Sequence, residues 1–126
     1  MKLELIHEDN RGSINIIKGD ELTYPEITVF KTKQGYARGG CIHRKSEEYA
    51  TVIEGRITYV TPKGYFHLYA GDNFIIPKGT PHYFLSNTDS IVLEWGATEE
   101  EKKEKHLHYR EIVDEINSRQ LASDML

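Results

Sequence analysis

The chain has 126 residues, a length that fits one domain with a single hydrophobic core. Its formal charge is −4 with both signs interspersed, and the absence of a basic block argues against a nucleic-acid partner. No apolar run approaches the ~20 residues of a membrane helix, and the start MKLELIHEDN lacks the apolar region of a signal peptide. A single cysteine excludes an internal disulfide, which suits a cytoplasmic protein.

Short stretches rich in β-branched and aromatic residues fill the chain up to residue 97, and turn sequences such as Pro62-Lys63-Gly64 separate them. We predict ten strands, at residues 3–6, 13–17, 26–32, 37–43, 49–53, 56–61, 65–69, 73–76, 82–85 and 91–95. Strands of this number and spacing indicate a β-sandwich or barrel, so we assign residues 1–97 to an all-β barrel.

The pattern changes at Thr98, which forms a capping box with Glu101. Four apolar residues then recur at helical spacing: Tyr109, Ile112, Val113 and Ile116. We predict a helix from residue 99 to about residue 120, within a segment 98–126 that packs on the barrel or on a partner subunit. The Glu-Lys run at residues 99–105 reads as a solvated helix face, and His106 and His108 are expected to face solvent.

Several side chains with metal-binding chemistry fall close together in the predicted barrel. Cys41 and His43 point to the same face of a strand, because strand side chains alternate. Glu48 follows a tight turn, although a register shift of one residue would present Glu47 instead. His82 follows a rigid Pro-x-Gly-x-Pro turn. Imidazole, carboxylate and thiolate groups bind divalent transition metals, so we predict a site for Zn, Fe, Mn or Ni.

Two stretches resemble the two motifs of the cupin family. The first motif, Gly-x5-His-x-His-x3,4-Glu-x6-Gly, is matched with cysteine in its first histidine position by Gly35, Cys41, His43, Glu48 and Gly55. The second, Gly-x5-Pro-x-Gly-x2-His-x3-Asn, is matched by Gly71, Pro77, Gly79 and His82, with Ser86 at the asparagine position and Asn87 next to it. The resemblance implies a double-stranded β-helix (jelly-roll barrel), often dimeric. It also implies metal ligation by His43, Glu48 and His82, with Cys41 as a fourth ligand or as a buried thiol.

A narrower resemblance lies in the stretch Arg38-Gly39-Gly40-Cys41-Ile42-His43. It is similar to the Arg-Gly-x-His-x-His stretch of small cupins that act on nucleotide-linked deoxysugars, including 3,4-ketoisomerases, and of cupin domains in capsular polysaccharide synthesis. Asp9-Asn10-Arg11-Gly12 resembles the Asp-x-Arg-Gly opening of that group. The resemblance implies catalytic roles for His43 and His82. We expect substrate contacts from Arg38, Lys45 and Phe84, although Arg38 could equally form a surface salt bridge.

The sequence does not decide which of two residues on the last strand faces the barrel interior. Glu94 and Trp95 alternate on the last strand, so only one of the two faces the interior.

These observations predict a metal-binding cupin that acts on a small carbohydrate-like substrate, as an isomerase or epimerase in sugar or polysaccharide metabolism. A non-catalytic sugar-binding cupin is the alternative, and a metal-dependent oxygenase is the third reading. We expect a homodimer with a small-molecule substrate and with neither a nucleic-acid nor a membrane partner.

Overall fold

A computed structural model describes residues 2–20 and 26–126 of the chain, and its strands form two antiparallel sheets. Within these ranges the strands are β1 (Lys2–Asp9), β2 (Gly12–Lys18), β3 (Glu26–Thr32), β4 (Ala37–Cys41), β5 (Glu48–Glu54), β6 (Arg56–Thr61), β7 (Gly64–Tyr69), β8 (Asn73–Ile76), β9 (His82–Ser86) and β10 (Ser90–Trp95). A 3₁₀ helix (Glu101–Lys103) and helix α1 (Leu107–Asp124) follow. The ten predicted strands are confirmed, except that β4 ends at Cys41 and not at residue 43.

The two sheets face each other as a jelly-roll barrel, which confirms the predicted fold class. The larger sheet has the order β1-β2-β3-β10-β5-β8, and the smaller sheet has the order β4-β9-β6-β7. Strands that are distant in sequence are therefore neighbours in each sheet. Between the sheets lies an apolar core formed by Phe30, Ala50, Val52, Ile57, Tyr59, Ile76, Phe84 and Val92.

Strands β4 and β9 position the side chains of the candidate site. They pair with Arg38 opposite Phe84 and with Cys41 opposite His82. The register shifts between Gly39 and Cys41, so one extra residue interrupts the alternation of β4. As a result, Arg38 and Cys41 line the same internal cavity although they lie three positions apart.

The predicted helix from residue 99 to about 120 is wrong at both ends. Thr98 Oγ1 does accept a hydrogen bond from the Glu101 backbone N–H at 3.3 Å, but only the short 3₁₀ helix follows. The chain then runs back along β4, where the His106 N–H donates to the Gly40 carbonyl at 2.9 Å. Helix α1 begins only after this contact, with His106 as its N-cap. His106 is therefore partly buried, contrary to expectation, whereas His108 is exposed as expected.

Helix α1 packs against the outer face of the smaller sheet. Val113 is fully buried there with Ala37, Val60 and Tyr83. Gly40 allows the close approach of the helix, because its φ is +81° and an added Cβ would lie 2.8 Å from the Arg110 Cα. Among the described residues, no helix is long and apolar enough to cross a membrane.

Candidate metal centre and adjoining cavity

The structure brings His43, Glu48 and His82 together inside the barrel. The Nε2 atom of each histidine lies 3.3 Å from Glu48 Oε1, and all three side chains are buried. One ligand atom from each residue lies within 4.8 Å of the others, which is the spacing of a group that can share one ion. Glu48 is the carboxylate that faces inward, while Glu47 is exposed. The spacing to Gly55 therefore selected the correct glutamate.

The hydrogen bonds of this cluster fit a divalent transition metal. His82 Nδ1 donates to the Thr80 carbonyl at 2.9 Å, so the neutral ring presents an unprotonated Nε2 to the cluster. His43 Nδ1 and both oxygens of Glu48 are buried without a well-directed hydrogen bond. Imidazole and carboxylate lone pairs at 3.3 Å repel each other unless a proton or a cation lies between them. Two nitrogens and one oxygen are suitable donors for Zn, Fe, Mn or Ni.

Lys102 joins the cluster from the 3₁₀ helix, and the sequence analysis missed it. Its Nζ lies 3.3 Å from Glu48 Oε2 and 3.3 Å from Glu94 Oε1, and it donates to Thr28 Oγ1 at 3.0 Å. Burial opposes ionisation of Glu48, but the Lys102 charge and the two imidazoles hold the pKa of this carboxyl well below its usual range. The reading of residues 99–105 as a solvated face is therefore wrong at Lys102, whose side chain is only 17% exposed. The inward-facing Glu94 was the available signal, because a buried carboxylate needs a cation.

Of Glu94 and Trp95, the two residues whose orientation the sequence left undecided, Glu94 faces the interior. Trp95 lies on the other side of the strand. The Tyr59 hydroxyl donates a hydrogen bond to Glu94 Oε2, and both side chains are buried. Burial, together with the negative charge of Glu48, raises the pKa of the Glu94 carboxyl. Burial lowers the pKa of His82, but its contact with Glu48 outweighs this effect and raises the pKa overall. Both shifts favour the protonated form of the group, at Glu94 and at His82.

A cavity of about 400 Å³ adjoins the cluster, a volume within the usual range for small-molecule sites. Predicted residues Arg38, Cys41, His82 and Phe84 line it, whereas His43 and Glu48 are not among the lining residues. Lys45 is exposed on the turn before β5 and does not line the cavity. The cavity and the His-His-Glu cluster therefore meet at His82 and at the side chain of Lys102.

Cys41 lies next to the His-His-Glu cluster but is not part of it. The group of possible ligands contains only histidine and glutamate side chains within the described residues. The Cys41 thiol instead lies 3.8 Å from Lys105 Nζ. Burial raises the pKa of the thiol, although the Lys105 charge opposes this effect. The geometry thus favours three protein ligands, with the thiol as part of the cavity wall.

A jelly-roll barrel with an internal His-His-Glu cluster defines the class of protein. Residues 31–98, more than half of the chain, match the family Cupin_2, described as the cupin domain. The chain therefore belongs to the cupin family, and the resemblance seen in the sequence is confirmed. The match ends at residue 98, before the segment that carries Lys102.

The chain is also similar to a regulatory protein and to proteins of known structure. An 89-residue stretch, 69% of the chain, is 40% identical to the HTH-type transcriptional regulator PuuR of Escherichia coli (strain K12). It covers 48% of that regulator, so the chain spans about half the length of the curated relatives it matches.

Two solved structures share the fold. A sugar phosphate isomerase from a cupin superfamily of Silicibacter pomeroyi DSS-3 has a TM-score of 0.57 at 22% identity, over 68% of this chain and 59% of that chain. The capsular polysaccharide assembling protein CapF of Staphylococcus aureus has a TM-score of 0.61 at 19% identity, over 78% of this chain and 29% of that chain. At these identities the likeness concerns the fold.

Proposed function

We propose that this cupin is a metal-dependent enzyme that isomerises or epimerises a small carbohydrate-like substrate next to a carbonyl group. The main observation in support of this proposal is the buried cluster of His43, Glu48 and His82, which meets a cavity of ligand size at His82. The fold-level likeness to a sugar phosphate isomerase and to CapF supports a carbohydrate substrate.

The residues of the chain have distinct roles in this proposal. His43, Glu48 and His82 would hold the ion, which when bound supplies Lewis-acid polarisation of a carbonyl or hydroxyl oxygen. Isomerisation next to a carbonyl also needs a group that removes a proton from carbon and returns it. Glu94 lines the cavity and has a raised pKa, so it is the carboxyl group placed for that transfer. Lys102, on the same cavity wall, pairs with Glu94 and with Glu48 and so holds the two carboxylates in position.

Metal content tests the first part of the proposal. We expect near-stoichiometric Zn, Fe, Mn or Ni in the tag-free protein by mass spectrometry, and loss of the metal in His82→Ala and Glu48→Gln. His108→Ala is the matched control, because His108 is an exposed histidine outside the cavity. Equal metal content in His82→Ala and His108→Ala would contradict the assignment of the ligands.

Solvent exchange tests the chemistry without knowledge of the product. We expect the metal-loaded protein to exchange a carbon-bound proton of its substrate with D₂O, observed by NMR on a panel of sugar phosphates and sugar nucleotides. Glu94→Gln should abolish this exchange while it retains the metal. Exchange that continues unchanged in Glu94→Gln would contradict the role of that carboxyl group.

A second function is favoured by the 40% identity to an HTH-type transcriptional regulator. In this case the same cavity binds a small molecule and reports it to another domain or protein, with no chemical change. Saturable binding of a sugar to the metal-loaded protein, with no solvent exchange after long incubation, would favour this function. The expected lack of a nucleic-acid partner stays a prediction.

We also propose a cytoplasmic homodimer. Strand β1 forms an edge of the larger sheet and exposes apolar side chains at Leu3, Leu5 and Ile6. A second copy of this strand would cover those side chains and pair with the open edge. Light scattering should give twice the monomer mass, and Leu5→Lys should give the monomer mass. A monomeric wild-type protein would contradict the proposal.

A further inference from the structure

A buried arginine without a counter-ion forms part of the cavity wall. Arg38 is only 2% exposed, and it makes no ion pair among residues 2–20 and 26–126. Its Nε donates to Thr32 Oγ1 at 3.1 Å, and its Nη2 donates to the Lys31 carbonyl at 3.1 Å. Its Nη1 is buried with no hydrogen-bond partner. A buried, incompletely bonded charge is costly, so this geometry calls for an anion.

The guanidinium remains charged in its buried position. Burial, and to a lesser extent the nearby charge of Arg11, lowers the pKa of Arg38 to about 10. The side chain is therefore a cation at neutral pH. Arg11 shows the contrast, since Asp9 neutralises it at 2.7 Å.

Most of the positive charge that lines the cavity is already compensated, but two cations are not. Six basic side chains line the cavity: Arg11, Arg38, Lys102, Lys103, Lys105 and Arg110. Four of them form ion pairs with carboxylates, namely Arg11, Lys102, Lys103 and Arg110. Arg38 and Lys105 form no ion pair among the described residues, and such uncompensated charge attracts anions. Compact oxyanions fit a guanidinium because its planar N–H groups match carboxylate and phosphate oxygens.

The position of Arg38 links the anion site to the metal centre. The Arg38 Cζ lies 5.9 Å from the centroid of the Phe30 ring, and Lys102 Nζ lies 5.3 Å from the same centroid. Phe84 packs edge-on against Phe30 at 5.8 Å and also lines the cavity. One small molecule can therefore place an acidic group at Arg38, an apolar face on the phenyl rings and a polar oxygen near the metal cluster.

We propose that Arg38 binds the carboxylate or phosphate group of the small molecule that occupies this cavity. This inference rests on the proposed function and deepens it, because it makes the carbohydrate-like substrate an acidic one. A carboxylate and a phosphate present the same oxyanion chemistry to Nη1, and the experiment distinguishes them.

Calorimetric titration tests the inference with glucuronate, glucose 6-phosphate and glucose as probes of matched ring size. We expect the wild-type protein to bind one of the two acidic probes at least tenfold more tightly than glucose. A preference for glucuronate assigns a carboxylate, and a preference for glucose 6-phosphate assigns a phosphate. Arg38→Gln should lose the preference, and Arg38→Lys, which keeps the charge without the planar group, should retain part of it. Arg56→Gln, at an exposed arginine of β6, should keep all of it.

The outcomes separate this inference from the proposed function. Equal binding of acidic and neutral probes, no binding of either acidic probe, or an undiminished preference in folded Arg38→Gln would overturn the inference. Metal content measured on the same samples tests the proposed function independently. Metal binding without acid preference overturns the role of Arg38 alone, and acid preference without metal binding overturns the metal-dependent function alone.

Discussion

The replacement of Lys102 by methionine is the sharpest test of the electrostatics of the site. Methionine keeps most of the length of the side chain and removes the ammonium group. Glu48 and Glu94 then lose the cation that lies 3.3 Å from each of them. Both carboxylates stay buried, so water does not replace the lost contact.

The two distances allow an estimate of the free energy of unfolding that Lys102→Met loses. At 3.3 Å and an effective dielectric constant of about 20, each pair attracts by about 5 kcal/mol. Much of this attraction offsets the cost of burying the charges, so the intact network contributes far less net stability. Removal of one partner leaves the others uncompensated, which typically costs about 3–5 kcal/mol. We therefore expect Lys102→Met to lose about that much free energy of unfolding in the presence of EDTA.

Urea unfolding with and without metal checks this expectation. A divalent ion supplies positive charge to Glu48, so zinc should stabilise Lys102→Met more than the wild-type protein. We expect the variant to bind zinc at least about tenfold more tightly, equivalent to about 1.4 kcal/mol, because the repulsion from the ammonium is gone. Lys103→Met is the matched control, since Lys103 is 68% exposed and its ion pair within the described residues is with the exposed Glu100. Equal stability of the two variants in EDTA, or equal zinc affinity of Lys102→Met and the wild-type protein, would refute the reasoning.

Two further predictions concern the parts of the fold that surround the site. Burial opposes ionisation of Asp9, but the hydrogen bonds that Arg11 donates hold the pKa of this carboxyl well below its usual range. The ionised Asp9 therefore stabilises the fold fully above about pH 4, and this stability is lost as the pH falls further. Asp9→Asn should thus cost about 2 kcal/mol in urea unfolding at pH 7, and the cost should decrease progressively as the pH falls below about 4; a cost that does not change with pH would contradict this. Gly40→Ala should cost more than Gly71→Ala in thermal unfolding, because both have positive φ but only the Gly40 Cβ would meet the backbone of helix α1. An equal cost for the two would show that the helix moves away freely.

The members of the His-His-Glu cluster could be predicted from the sequence because each lies in a short motif of fixed spacing. The spacing of the two cupin motifs brought His43, Glu48 and His82 together, whereas strand alternation did not, because β4 ends at Cys41, before His43. The turn glycines Gly55 and Gly71 have φ values of +84° and +95°, which only glycine adopts without strain. These signals involve residues that are close in sequence, so no knowledge of the three-dimensional pairing was needed.

Lys102 could not be predicted because its position depends on contacts between distant parts of the chain. The capping box at Thr98 was real, but its hydrogen bond produced one 3₁₀ turn and no long helix. The helix began later because the backbone near His106 bonds to Gly40 on β4. The prediction of residues 99–105 as a solvated helix face therefore failed at Lys102, whereas Lys103 and Lys105 are exposed.

The charge balance of the buried network explains why Lys102 and a metal ion are compatible in one site. Glu48 and Glu94 together are able to hold two negative charges, and Lys102 supplies one positive charge. One further positive charge is then needed, and either a proton on His82 or a divalent cation between the imidazoles meets this need. Lys102 faces Oε2 of Glu48, whereas the two histidines face Oε1, so the ammonium leaves the oxygen on the histidine side available to an ion. We therefore expect the lysine to weaken metal binding without blocking it, and to hold the carboxylates of the cluster in place in the absence of a metal ion.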